Sequence, residues 1–260
     1  AAADMILGDD NFASIVTAVE EGRSIFANIR KFLRFLLSSN IGEVLTMFLG
    51  VVLAGVIGLT SPEGTGLGLP LLATQGLWIN LVTDGAPALA LGMDPPDPEA
   101  MDRSPRPAGE RVITPAMWRE IFQVGVVMAV GTLLVVDASL PGGLLEGRGT
   151  LPYAQTMAFT TQMLFQLFNA FNARSDRASA FRRPFENRAL WGAIVLALVL
   201  QVMVLYLAPL QRAFGTVPLS GADWLRSAAV ASSVLWIREV VKLGGRRLTA
   251  ARGGRPATSG

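Results

Sequence analysis

The chain has 260 residues, of which 51% are hydrophobic and only 16% charged, against roughly 25% charged in a soluble domain; the balance is that of a membrane protein. It contains neither Cys nor His, which excludes disulfides, thiolate or imidazole metal sites and Ser-His-Asp or Cys-based catalysis, so any metal chemistry must use oxygen ligands and hard cations. The net charge is only +2. Basic character is carried by arginine, with Lys31 and Lys242 as the two lysines, and this usage beside abundant Ala, Gly and Leu points to a GC-rich bacterial genome.

Residues 1–14 begin Ala-Ala-Ala-Asp-Met-Ile-Leu-Gly-Asp-Asp. No basic start leads into an apolar core, so they do not read as a signal peptide; they read like the middle of a globular domain, as in an incomplete chain. A helical, charged run over 15–31 leads into the first of six apolar stretches. These lie at 32–59, 70–92, 115–136, 152–173, 189–210 and 223–243, each close to the 20 or so residues that cross a bilayer core. Loops 60–69, 137–151 and 211–222 are rich in Gly and Pro and poor in charge, whereas 93–114, 174–188 and the tail 244–260 are rich in arginine. Only Arg148, Arg212 and Arg226 fall on the first side; every other basic residue falls on the second. That asymmetry, with an even number of spans, places both termini in the cytoplasm. Trp78, Trp118, Trp191, Trp224 and Trp236 lie mostly near span ends, as interfacial anchors do.

Two spans carry carboxylates, although one at mid-bilayer costs about 2.5–3.5 kcal/mol on insertion scales. In the first, Asn40 and Glu43 are three apart and share a helix face. In the second, Asn80, Thr83 and Asp84 lie at i, i+3 and i+4, again on one face, and Gly85 and Pro87 predict a loosened helix with freed carbonyls. Such loosening is tolerated at membrane depth only around a protected cavity. Together the two faces offer carboxylate, amide and hydroxyl oxygens of the kind calcium takes in sixes to eights. Gln166 adds a further amide at membrane depth, with Asn169 and Asn172 continuing its face. For Gln166, and for Asn40 and Asn80, helix–helix hydrogen bonding is the alternative role.

At these residues the chain resembles the C-terminal transmembrane half of type II P-type cation-transporting ATPases, closest to the calcium-pump branch. The resemblance covers nearly the whole length. Asp9-Asp10-Asn11-Phe12 with Ile15-Val16 and Glu20-Glu21-Gly22-Arg23 resembles the end of that family's phosphorylation domain and the start of its fifth-helix stalk. Ser38-Ser39-Asn40-Ile41-Gly42-Glu43 resembles its fifth-helix ion motif, and Leu77-Trp78-Ile79-Asn80-Leu81-Val82-Thr83-Asp84-Gly85 its highly specific sixth-helix motif. Asp94-Pro95-Pro96 and Met101-Asp102-Arg103-Ser104-Pro105-Arg106 resemble the following cytoplasmic loop, and Glu239 and Lys242 sit as in the final helix.

The resemblance implies an all-α membrane protein whose six transmembrane helices correspond to helices five to ten of a P-type ATPase, with a short remnant of the phosphorylation domain at the N-terminus. Its parts would be 1–14, the domain remnant; 15–92, stalk and ion-binding hairpin; 93–114, cytoplasmic loop; 115–243, a four-helix support domain; and 244–260, a basic tail. It implies a metal-binding set of Asn40, Glu43, Asn80, Thr83, Asp84 and Gln166. Asn40, Glu43, Thr83 and Asp84 would serve one cation and Asn80 and Asp84 a second; Gln166 stands where the two-site calcium pump has a glutamate. The expected cargo is calcium, and the expected setting is a bacterial plasma membrane.

Phosphorylation, dephosphorylation, magnesium and phosphate-loop motifs are absent from the sequence. Magnesium and ATP would therefore act only through partner domains of the parent pump (actuator, nucleotide-binding and phosphorylation domains), and the chain alone is not expected to hydrolyse ATP. The other partners expected are the lipid bilayer and the transported cation, with no nucleic acid. The competing readings are half of a secondary transporter and a non-transporting membrane fragment. The soluble-domain remnant and the lack of a repeat between the first and last three spans weigh against the former.

Overall fold

The computed structural model describes residues 11–60, 68–95, 111–174 and 185–253, with a few positions between 101 and 109, and side chains as far as Lys242. Most of the stretch 1–14 therefore lies outside the described residues. All regular elements among those described are helical: α1 (Phe12–Val52), α2 (Ala73–Trp78), a π-helix (Ile79–Asp84), α3 (Gly85–Gly92), α4 (Pro115–Asp137), α5 (Leu151–Ala173), α6 (Arg188–Tyr206), α7 (Ala208–Phe214) and α8 (Gly221–Gly253).

Local chemistry sets several boundaries. The Asn11 carboxamide accepts from Ala13 N at 3.0 Å and opens α1. Thr114 caps α4 through Met117 N, ahead of Pro115, and Asn187 caps α6 through Leu190 N, as short oxygen-bearing side chains do. Gly215, at φ +60°, ends α7 in the left-handed conformation that glycine adopts freely.

The stalk run and first span form one continuous 41-residue helix. It stops at Val52 rather than at 59, because turns at 53–58 fold the chain back and Gly58 at φ +71° packs against the Pro141 carbonyl. α8 runs on through Gly253, past the expected end of its span. Among the described residues, three helices are each long and apolar enough to cross a membrane: α1 over Ala13–Val52, α4 and α6.

α1 lies against α4 and α5, and α5 lies against α8. The α1–α4 contact is close because both partners offer glycine: a Cβ on Gly125 would come within 2.5 Å of Ile41 Cγ2, and one on Gly42 within 3.1 Å of Met128 Cβ. Small residues at a crossing let backbones approach in this way. Phe35, Met128, Met163, Phe165 and Leu190 fill the larger core cluster; Ile79, Val136, Ala158 and Phe159 belong to a second.

α5 is the most buried helix and also a polar one. Asn169 donates to Ser38 Oγ of α1 (2.7 Å), Thr161 to Ser227 Oγ of α8 (3.1 Å), and Asn172 to the Val234 carbonyl (3.1 Å). Gln162 accepts from Thr132 Oγ1 of α4 at 2.8 Å. Interhelical bonds of this type hold helices together where apolar burial supplies no drive. Asn169 and Asn172 thus take the helix-joining role.

Candidate cation site

The site forms where the π-helix faces α1 and α5. A π-turn widens the helix by one residue, and here its position has a local cause. Pro87, in α3, has no N–H to give the Thr83 carbonyl four residues back, and its ring crowds that oxygen. The helix therefore widens through Thr83 and Asp84 and returns to regular α-helix from Gly85. The sequence placed the loosening at Gly85–Pro87; it falls one turn earlier, on the side of the carbonyl that proline leaves unbonded.

Glu43 of α1 takes the centre. Its Oε2 accepts from Asn80 Nδ2 of the π-helix at 2.8 Å, and its Oε1 from Gln166 Nε2 of α5 at 2.6 Å. Asn80 Nδ2 also reaches the Gly76 carbonyl (3.0 Å). Asp84 is 2% exposed and Thr83 fully buried. Glu43 and Ser39 both lie close enough to the Asp84 carboxylate to act on its charge.

Buried polar atoms nearly always find partners, yet this region holds a group that does not. Both Asp84 oxygens, Thr83 Oγ1, Ser39 Oγ, Gln166 Oε1 and Gln162 Nε2 are buried without a hydrogen-bond partner among the described residues. Five of these six atoms are oxygens. An all-oxygen set of two hydroxyls, an amide carbonyl and a carboxylate, beside a second carboxylate, is the donor chemistry of a hard cation.

The structure brings together Glu43, Asn80, Asp84 and Gln166, with Thr83 buried beside Asp84 in the π-helix. It does not bring Asn40 to them. That side chain is exposed, returns to the Leu36 carbonyl of its own helix at 2.9 Å, and borders a groove with Trp118 and Phe122 of α4. Three residues of α-helix turn about 300°, so Asn40 and Glu43 are neighbours whose tips point about 60° apart. An asparagine without a partner at mid-helix commonly bonds back in this manner. Two further residues near these carry a buried polar atom without a hydrogen-bond partner among the described residues. Ser39 adjoins the named motif residues. Gln162 lies one turn from Gln166 on α5, and the i, i+4 spacing of two glutamines in an apolar helix was the available signal.

Residues 68–244 match the family model described as "Cation transporting ATPase, C-terminus", and the chain belongs to that family. The calcium-transporting ATPase of Bacillus subtilis (strain 168) is 41% identical over 86% of this chain and 23% of its own length. Calcium-transporting ATPase type 2C member 2 of Rattus norvegicus is 39% identical over 93% of the chain and 24% of its length, and calcium-transporting ATPase 1 of Yarrowia lipolytica 38% over 93% and 24%. The chain thus spans about a quarter of the length of the relatives it matches.

Proposed function

We propose that this chain is the cation-binding and translocating membrane region of an ATP-driven P-type pump, and that its cargo is calcium. The supporting observation is the set of buried, unpartnered oxygens of Ser39, Thr83, Asp84 and Gln166 around the Glu43 carboxylate. A dehydrated divalent cation would satisfy those oxygens and offset both carboxylates, which accounts for two acidic groups at membrane depth.

In this reading the six apolar stretches cross the bilayer as helices five to ten of the pump, with both ends cytoplasmic in a bacterial plasma membrane. The N-terminal residues belong to the phosphorylation domain; the hairpin to 92 carries the ions, and 115–243 supports it. ATP and magnesium act in cytoplasmic domains outside this chain. The 41 residues of α1 form a rod of about 60 Å at 1.5 Å per residue, which transmits the movement of those domains to Ser39 and Glu43.

Loading requires the amides to change roles. Asn80 and Gln166 now give N–H groups to Glu43, whereas a cation takes only their carbonyl oxygens. Rotation of each carboxamide would release a Glu43 oxygen and present its own to the ion. Displacing α1 then reverses the exchange, and the N–H groups reclaim the carboxylate as the cation leaves. Asn40 joins the ligand set only if its side chain leaves the Leu36 carbonyl.

The test is calcium-dependent ATP hydrolysis and calcium uptake by the full-length protein in proteoliposomes, unmodified and as Asp84→Asn. The variant is expected to insert normally and lose calcium-stimulated activity by 100-fold or more. Normal uptake by that variant would end the reading.

A further inference from the structure

At the end of the bundle away from the paired arginine-rich loops, a hollow of about 350 Å³ opens between the end of α4, the start of α5 and the first turns of α8. Ala138, Ser139, Arg148, Gly149, Tyr153 and Arg226 line it. Two of the three basic residues that the sequence places on this side therefore meet at one depression.

Their charges are poorly used within the chain. Arg148 has no ion pair among the described residues, and Arg226 reaches Asp223 only at 3.9 Å, with its side chain 72% exposed. The neighbouring carboxylates are committed elsewhere. Asp223 Oδ1 accepts from the Tyr153 hydroxyl (2.7 Å), and its Oδ2 from Ser220 N and Oγ (2.9 and 2.7 Å). Asp137 accepts from Leu144 N and Leu145 N (2.7 and 3.0 Å). Glu146, in the same loop, is exposed.

The hollow lies at headgroup depth. α4, apolar enough to span, ends at Asp137, and the lining begins one residue later. Both tyrosines of the chain are at this level, with Trp224 Nε1 donating to the Tyr206 hydroxyl at 3.1 Å, as in an interfacial aromatic belt. An apolar track leads from it into the membrane. Val130 and Leu134 are exposed on the face of α4 that Ala138 continues, at i, i+4 and i+8. Beside them α8 crosses where Gly131 meets Val230, one turn from Arg226.

We infer that this hollow binds the phosphate headgroup of an anionic phospholipid, with Arg148 and Arg226 clamping the phosphate and one acyl chain lying along Val130 and Leu134. Guanidinium forks match phosphate oxygens, and the apolar track gives a lipid an advantage that a free anion lacks. The site is separate from the cation site and stands without it.

The test is native mass spectrometry of the full-length protein in detergent, titrated with phosphatidylglycerol, phosphatidylcholine or inorganic phosphate. One phosphatidylglycerol is expected to be retained about tenfold more tightly than phosphatidylcholine. Arg148→Ala with Arg226→Ala should weaken it at least fivefold, as should Leu134→Gln, while Arg212→Ala leaves it unchanged. All four positions are on the surface, and an unchanged melting temperature verifies folding. Equal retention by the double variant would overturn the inference, as would displacement of the lipid by millimolar inorganic phosphate.

Discussion

Lys31 of α1 and Asp94, two residues beyond α3, form an ion pair at 2.5 Å, with side chains only 15% and 5% exposed. Asp94 also accepts from Arg174 Nε (3.1 Å) and Asn187 Nδ2 (2.9 Å), and its backbone carbonyl takes Asn28 Nδ2 (2.7 Å). One carboxylate thus gathers α1, the end of α5 and the start of α6 at the point where α3 ends. Removing one partner of a buried pair strands the others, at about 3–5 kcal/mol. Asp94→Ala is expected to lower stability by that order, seen as a marked fall in detergent melting temperature. Asp94→Asn, which keeps the shape, should fall in between. A melting temperature unchanged by Asp94→Ala would contradict this account.

Gln166 holds Glu43 in place, and Leu at that position removes the donor without adding volume on a polar side. The orphaned carboxylate oxygen costs about 1–3 kcal/mol. With the cation site as proposed, Gln166→Leu should raise the half-saturating calcium concentration of the full-length ATPase by roughly tenfold or more, since about 1.4 kcal/mol is a factor of ten. Gln166→Glu should recover much of the loss by supplying an oxygen donor. Identical calcium curves for all three proteins would remove Gln166 from the site.

The π-turn is expected to be indispensable to the cation site and dispensable to the fold. Deleting Val82 would let the segment close into regular α-helix with α3 still in register, because the wide turn holds one residue more than an α-turn. Asn80 and Asp84 would then stand three residues apart instead of four, and the backbone carbonyls that the wide turn loosens would be bonded again. The deletion variant should reach the membrane and lose calcium-stimulated hydrolysis; retention of that activity would show that the wide turn does not position Asp84.

Gly125 tests the α1–α4 crossing. A methyl group there has no room beside Ile41 and Gly42, and overpacking costs about 1–3 kcal/mol. Gly125→Ala should therefore lower the melting temperature, whereas Gly76→Ala, where a Cβ meets nothing within 4 Å, should leave it unchanged or raise it slightly, because alanine favours helix over glycine. Equal behaviour of the two variants would mean that the crossing relaxes freely.

The elements legible in the sequence were those written in local terms. Apolar runs gave α4 and α5 to within a residue at each end and the start of α6, whose expected end at 210 overran Tyr206, and Glu43 and Asp84 stood out because carboxylates are costly in apolar helices. What stayed hidden depends on neighbours. Whether Asn40 turns to Glu43 or to Leu36 is decided by what lies across from each face, and a spacing of three covers both outcomes. The π-turn follows from Pro87 acting on an oxygen four residues earlier, so the breaking residue was visible and the affected one was displaced. Asp94 read as part of a loop motif; its convergence with Lys31, Arg174 and Asn187 joins positions far apart in the chain.

The polar character of α5 bears on how such a chain is made. With Gln155, Thr156, Thr160, Thr161, Gln162, Gln166, Asn169 and Asn172 all buried, this helix is a poor candidate to leave the translocon sideways into lipid by itself. Its hydrogen bonds run to α1 and α4, synthesised before it, and to α8, synthesised after it. During biogenesis it is therefore expected to wait beside α4 until the last helix emerges, so that ribosome-bound chains ending before Gly221 should hold α5 in an alkali-extractable state that full-length chains do not show.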